Sequence, residues 1–196
     1  MNFFKAIATV AGFTLISRIV GFLRDILTAA LLGAGPLADA FFVALKLPNF
    51  FRRISAEGAF TVAFVPVYTA IKEERGSADA AKFAGHVLLL MLAILGAFVA
   101  LSILGMPYII RIIAPGFETE GERFIAAIHY ARITFPYLLL ISITAMFGAM
   151  LNANNRFAPF AMAPIIFNLT LISAMLIAHQ QSYEISKALS LGITAS

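Results

Sequence analysis

Three long stretches of the chain carry no Asp, Glu, Lys or Arg: residues 83–110, 133–155 and 157–183. Each exceeds the ~20 apolar residues that a helix needs to cross a ~30 Å hydrocarbon core. A membrane barrel would instead show ~10-residue segments of alternating polarity, which are absent. Extending this pattern over the chain predicts five helical crossings, at 6–32, 36–70, 83–108, 124–151 and 157–179, and the start of a sixth in "ALSLGITAS" after Glu184 and Lys187. Nine residues of helix rise only ~14 Å, so the last crossing is expected to be incomplete and the chain to be part of a longer protein. The fold class expected is all-α, a polytopic transmembrane helix bundle.

The second crossing is the unusual one. "KLPNFFRRISAEGAF" (46–60) gathers Lys46, Arg52, Arg53 and Glu57 in a chain that is 61% hydrophobic and 12% charged. As a loop it would leave "LADAFFVAL" and "GAFTVAFVPVYTAI" to cross separately, and these make only ~14 Å and ~21 Å of helix. The span is therefore read as one crossing, either a long helix, a helix interrupted at Pro48 or a re-entrant pair, with its charges at membrane depth. The N-terminal "MNFFKAIATVAGFTLIS" begins like a signal peptide, but Arg18 and more apolar sequence follow without a cleavage site, which favours a first membrane span.

Composition agrees with this reading. Mean hydropathy is +0.94 and Phe occurs 19 times. With no Cys, disulfides and thiolate metal sites are excluded. The net charge of +4 is spread through apolar segments, which indicates topology or contact with anionic lipids and not nucleic acid. Lys5, Lys72, Arg75, Lys82 and Arg156 fall in segments that share one side. Arg111 and Arg123, diluted by Glu118, Glu120 and Glu122, fall on the other, so the N-terminus is expected inside.

Ionisable groups in a span cost at least ~2.5–3.5 kcal/mol each and usually face water or a partner. The first two spans hold Arg18, Arg24, Asp25, Asp39, Lys46, Arg52, Arg53 and Glu57. Asp39, Lys46 and Arg53 recur at helical spacing with Asn49 among them, and Arg52 flanks that stripe. Pairing of Arg53 with Glu57, of Arg18 or Arg24 with Asp25, and of Asp39 with Lys46 is one reading. It leaves two positive charges over. The other is a cationic cavity that grips an anion, for which Arg suits because its planar fork holds phosphate oxygens and keeps its charge when buried. Arg132 either lines the same cavity or snorkels outward. His86, His129 and His179 read as interfacial residues, and the "NLT" at 168–170 lies inside a span, where glycosylation is not expected. No diphosphate–magnesium motif, metal spacing, nucleophile elbow or Gly-rich phosphate loop occurs, so the pattern does not suggest an enzyme and no cofactor is implied.

"SRIVGFLRD" (17–25), "GAGPLADAFFVALKLPNFFRRISAEGAFTVAFVPVY" (33–68), "APGF" (114–117), "RITFPYLLLIS" (132–142) and "LNANNRFAPFAMAPIIFN" (151–168) together resemble the MurJ/MviN family of bacterial lipid II flippases. The resemblance implies a place in the multidrug/oligosaccharidyl-lipid/polysaccharide exporter superfamily, with 1–196 as the N-terminal lobe of a two-lobe transporter whose second bundle is missing here. It implies a multi-pass protein of the bacterial inner membrane that moves an undecaprenyl-diphosphate-linked peptidoglycan precursor by alternating access. On this resemblance Arg18, Arg24, Asp39, Asn49, Arg52 and Arg53 are substrate-binding; the reading of cost and spacing adds Asp25, Lys46, Glu57 and Arg132 in cavity or pairing roles. A half bundle alone is expected to be inactive. An exporter of another polyprenyl-linked glycan or of a drug, a membrane enzyme acting on polyprenyl diphosphate, or a non-transporting scaffold are the alternatives. A drug exporter for cations would favour surplus carboxylate, and an enzyme would add metal-binding acids.

Overall fold

The computed structural model describes residues 3–54, 60–154 and 156–196, with side-chain surroundings for 8–50, 62–154 and 156–196. Within these residues the chain is helical throughout: α1 (Phe3–Leu32), α2 (Pro36–Ile54), α3 (Phe60–Arg75), α4 (Ser77–Leu104), α5 (Met106–Ile113), α6 (Glu122–Thr134), α7 (Tyr137–Ala153), α8 (Ala158–Gln180) and α9 (Ile185–Ala195). Glycines mark two of the breaks. Gly33, at φ +65°, follows α1 in the left-handed conformation that ends helices, and Gly76, at φ +87°, separates α3 from α4. Pro36 then opens α2, where a missing N–H costs nothing.

Three helical stretches are long and apolar enough to cross a membrane: Ser77–Leu104, Glu122–Ala153 and Ala158–Gln180. The second joins α6 to α7 across Phe135 and Pro136. Pro136 has no N–H to give, and the ladder tightens there into Leu138 N–H to Phe135 O and Leu139 N–H to Pro136 O, each 3.0 Å. The helix α1 has 30 residues and carries Arg18, Arg24 and Asp25 in its second half.

The expected second crossing resolves into α2 and α3. The helix runs through Pro48, whose side chain is fully buried, and on to Ile54, so it is not broken at the proline. Together α2 and α3 accompany α6–α7 in the same direction. At one end Asp39 pairs with Arg123 at 3.4 Å, and at the other Lys72 Nζ donates to Asn154 Oδ1 at 2.5 Å. Between these ends Phe41 and Ala44 share a core with Ala127 and Tyr130, while Phe64 and Tyr68 share another with Met146 and Ala149.

Lipid tails are as apolar as Leu, so helices in a bilayer gain mainly from close packing and hydrogen bonds. The α2–α6 seam follows that rule. Ala40 and Ala44 face Ala127 and Ala131, all fully buried and spaced one turn apart on each helix, which lets the backbones approach. Three buried hydroxyls are satisfied within their own helices: Thr134 donates to Tyr130 O, Ser142 to Leu138 O and Ser190 to Ser186 O. By contrast α4 buries little beyond Ala80, Ala84, Val99 and Ser102, and turns Leu89, Leu90, Ile94 and Leu101 outward.

Candidate functional site

A cleft of ≈ 610 Å³ opens between α1, α2, α7, α8 and α9. Its polar lining comes from Arg24, Asp25 and Thr28 of α1, Asn49 of α2, Thr144 of α7, Asn168 of α8 and Ser196. Much of the rest of the lining is aromatic. Phe41 and Phe42 meet edge to face at 5.6 Å, Tyr137 and Phe167 lie 5.8 Å apart, and Phe160 completes the surface. Such a cleft can take a ligand with an anionic end and an apolar body.

Arg24 is the cation of the lining among the described residues. Its Nη2 lies 2.6 Å and its Nε 3.2 Å from Asp25 Oδ1, and its Nη1 donates to Asn168 Oδ1 at 2.8 Å. These bonds leave further N–H groups on the guanidinium. The Arg24 side chain is 26% exposed and that of Asp25 66%, so the carboxylate stays largely solvated while the cation sits deeper. The expected Arg24–Asp25 pairing is thus formed, and among the described lining residues one cation faces one carboxylate.

The other expected residues divide. Asn49 lines the cleft. Arg18 is exposed on α1 and Lys46 on α2, both outside the lining. Asp39 does not hold Lys46. It pairs with Arg123, because the first turn of α2 lies against the first turn of α6. Arg132 is exposed outside the cleft, with Nε donating 3.2 Å to Ile103 O at the end of α4. Arg52 and Arg53 fall on the last turn of α2, but their side chains lie outside the described residues, as does all of Glu57.

The stripe facing the cleft is also rotated from the one expected. The lining positions on α2 are Phe41, Phe42, Leu45 and Asn49. At about 100° per residue, Arg52 continues that register more closely than Lys46 or Arg53 do. Asn168, missed in the sequence, is buried at 6% exposure and bonds to both Arg24 and the Ser17 carbonyl. The available clue was an amide inside an otherwise uncharged span, where an unpartnered polar group is costly.

The lipid II flippase MurJ family model matches residues 28–196. A "Probable lipid II flippase MurJ" of Rhizobium tropici is 44% identical over 176 residues, covering 89% of this chain and 33% of that protein. One from Rhizobium meliloti (strain 1021) is 40% identical over 200 residues, covering 100% of this chain and 37% of its own length. The "Lipid II flippase MurJ" of Burkholderia cenocepacia is 39% identical over 175 residues, covering 89% and 34%. A solved structure, "Lipid II flippase MurJ, inward closed conformation", is similar at a TM-score of 0.78 and 32% identity, over 95% of this chain and 39% of that one. The chain spans about a third of the length of these curated relatives.

Proposed function

Because the chain belongs to the lipid II flippase MurJ family, whose members are transporters and not enzymes, we propose that it forms the N-terminal bundle of a lipid II flippase of the bacterial inner membrane. In this reading α1, α2–α3, α4, α6–α7 and α8 make five crossings and α9 begins a sixth. The N-terminus is cytoplasmic. The observation behind that orientation is the sidedness of charge. Lys72, Arg75, Lys82 and Arg156 gather at the end where Lys72 meets Asn154, against Arg111, Arg123 and Lys187 at the other end, where Glu118, Glu120, Glu122 and Glu184 dilute them.

The cleft then faces a second bundle, supplied by the remainder of the length that the relatives have. Arg24 contacts the diphosphate of the undecaprenyl-linked precursor, with Arg18, Arg52 and Arg53 adding positive charge and Asp25 and Asn49 lining the site, while Asp39 holds α2 against α6 through Arg123. Rocking of the two bundles about this site moves the head group between leaflets while the lipid tail stays in the bilayer. A membrane potential, negative inside, assists an anion outward by ~2.3 kcal/mol per charge per 100 mV. Anionic lipids contact the basic cytoplasmic end.

The single observation that carries this reading is Arg24, held by Asp25 and Asn168 with N–H groups to spare, in a cleft also lined by aromatic side chains. The test is growth of flippase-depleted cells rescued by the protein extended to its relatives' length. Ala at Arg18, Arg24 or Arg52 is expected to abolish rescue at normal protein levels. Normal growth with all three would overturn the cationic site.

A further inference from the structure

On α1, Ser17, Gly21, Arg24 and Thr28 recur at helical spacing and form one stripe. That stripe meets α8, and the register is legible from two contacts. The Asn168 amide bonds to Ser17 and Arg24, and further along both helices, one turn beyond Arg24 on α1 and two turns beyond Asn168 on α8, Thr28 Oγ1 lies 3.5 Å from Met175 Sδ. The two helices therefore run in the same direction. A Cβ at position 21 would sit 3.3 Å from Asn168 Nδ2, so glycine lets the amide come this close to the backbone of α1.

We infer that Asn168 is a positioning residue that sets the direction of Arg24 in the cleft, a role that rests on the diphosphate-site reading above. Its Nδ2 donates to Ser17 O at 3.3 Å, which leaves Oδ1 to accept from Arg24 Nη1 at 2.8 Å. Turned the other way, the amide would point two N–H groups at the guanidinium, which has only donors. The carbonyl of α1 thus fixes the amide, and the amide fixes the cation. Asn168 and Asp25 hold the guanidinium from two sides, so the long side chain is ordered before an anion arrives. The node also ties the cation to α8, so a shift of α8 along α1 would redirect Arg24.

The test is lipid II binding by the full-length detergent-purified protein in a cycle of Arg24→Ala, Asn168→Leu and the double variant. Asn168→Leu is expected to weaken binding about tenfold or more, as loss of a hydrogen bond to a charged group does. In the Arg24→Ala background it should cost nothing further, since a residue that acts only through Arg24 has nothing left to orient. Losses that add would overturn the role, because a merely structural contribution does not depend on Arg24. Weaker binding with Arg24→Ala but unchanged binding with Asn168→Leu would overturn this role alone. Unchanged binding with Arg24→Ala would overturn the diphosphate site and this role together. Where Asn168→Leu does not reach the membrane, Asn168→Asp carries the same cycle. It keeps the size of the side chain and gives Arg24 a second carboxylate, and binding equal to the unsubstituted protein would contradict the role.

Discussion

Asp39 Oδ2 lies 3.4 Å from Arg123 Nε and ties the first turn of α2 to the first turn of α6, 84 positions later in the chain. Both side chains are about half exposed, so the pair is worth at most about 1 kcal/mol. Asp39→Ala and Arg123→Ala should each lower thermal stability in detergent only slightly. With Asp39→Cys and Arg123→Cys together, a short bismaleimide should link the two positions, and residues 1–196 contain no competing Cys. Failure to link in folded protein would contradict the α2–α6 pairing.

The ring of Phe160 occupies the space a side chain at Gly148 would need. A Cβ there would lie 2.2 Å from Phe160 Cδ2. Gly148→Ala must therefore displace Phe160, a lining residue of the cleft. Overpacking of this kind costs about 1–3 kcal/mol. The expected result is a lower melting temperature for Gly148→Ala that Phe160→Ala restores in the double variant. An unchanged melting temperature for the single variant would contradict the close α7–α8 contact.

Much of the fold was legible in the hydropathy pattern, since charge-free windows of 20 or more residues have few alternatives. The facing of α2 was not. Helical periodicity groups Asp39, Lys46 and Arg53 on one stripe, but it does not say which neighbour that stripe meets. The small residues decide it: Ala40 and Ala44 pack on α6, which leaves Phe41, Leu45 and Asn49 toward the cleft. Likewise Arg123 drew no attention as a partner for Asp39, because the pairing depends on two distant turns sharing one end of the bundle. Asn168 was passed over because the cost argument weighed ionisable groups and overlooked a buried amide.

Sidedness gives a third prediction. Thr119 and Gln181 are exposed at one end of the bundle and Ser77 at the other. Single Thr119→Cys and Gln181→Cys variants should react with a membrane-impermeant maleimide in intact spheroplasts, and Ser77→Cys only after permeabilisation. The reverse pattern would invert the proposed orientation. Labelling of all three from outside would contradict the number of crossings.

The alanine and glycine contacts point to a fourth outcome. Ala44 and Ala131 are both fully buried where α2 meets α6. Ala131→Leu should separate the helices at a cost of about 1–3 kcal/mol, read as a drop in the detergent melting temperature. Ala81→Leu on the exposed face of α4 should leave it unchanged. Equal effects at the two positions would contradict the seam.

The most direct measurement is the fraction of lipid II reachable from outside the cell in a strain whose only flippase is the full-length protein. With Arg24 intact, an impermeant lipid II-modifying reagent should reach the outer-leaflet pool. With Arg24→Ala at the same protein level, that pool should fall to the level of flippase-depleted cells. An outer pool unchanged by the substitution would contradict the claim that Arg24 holds the diphosphate.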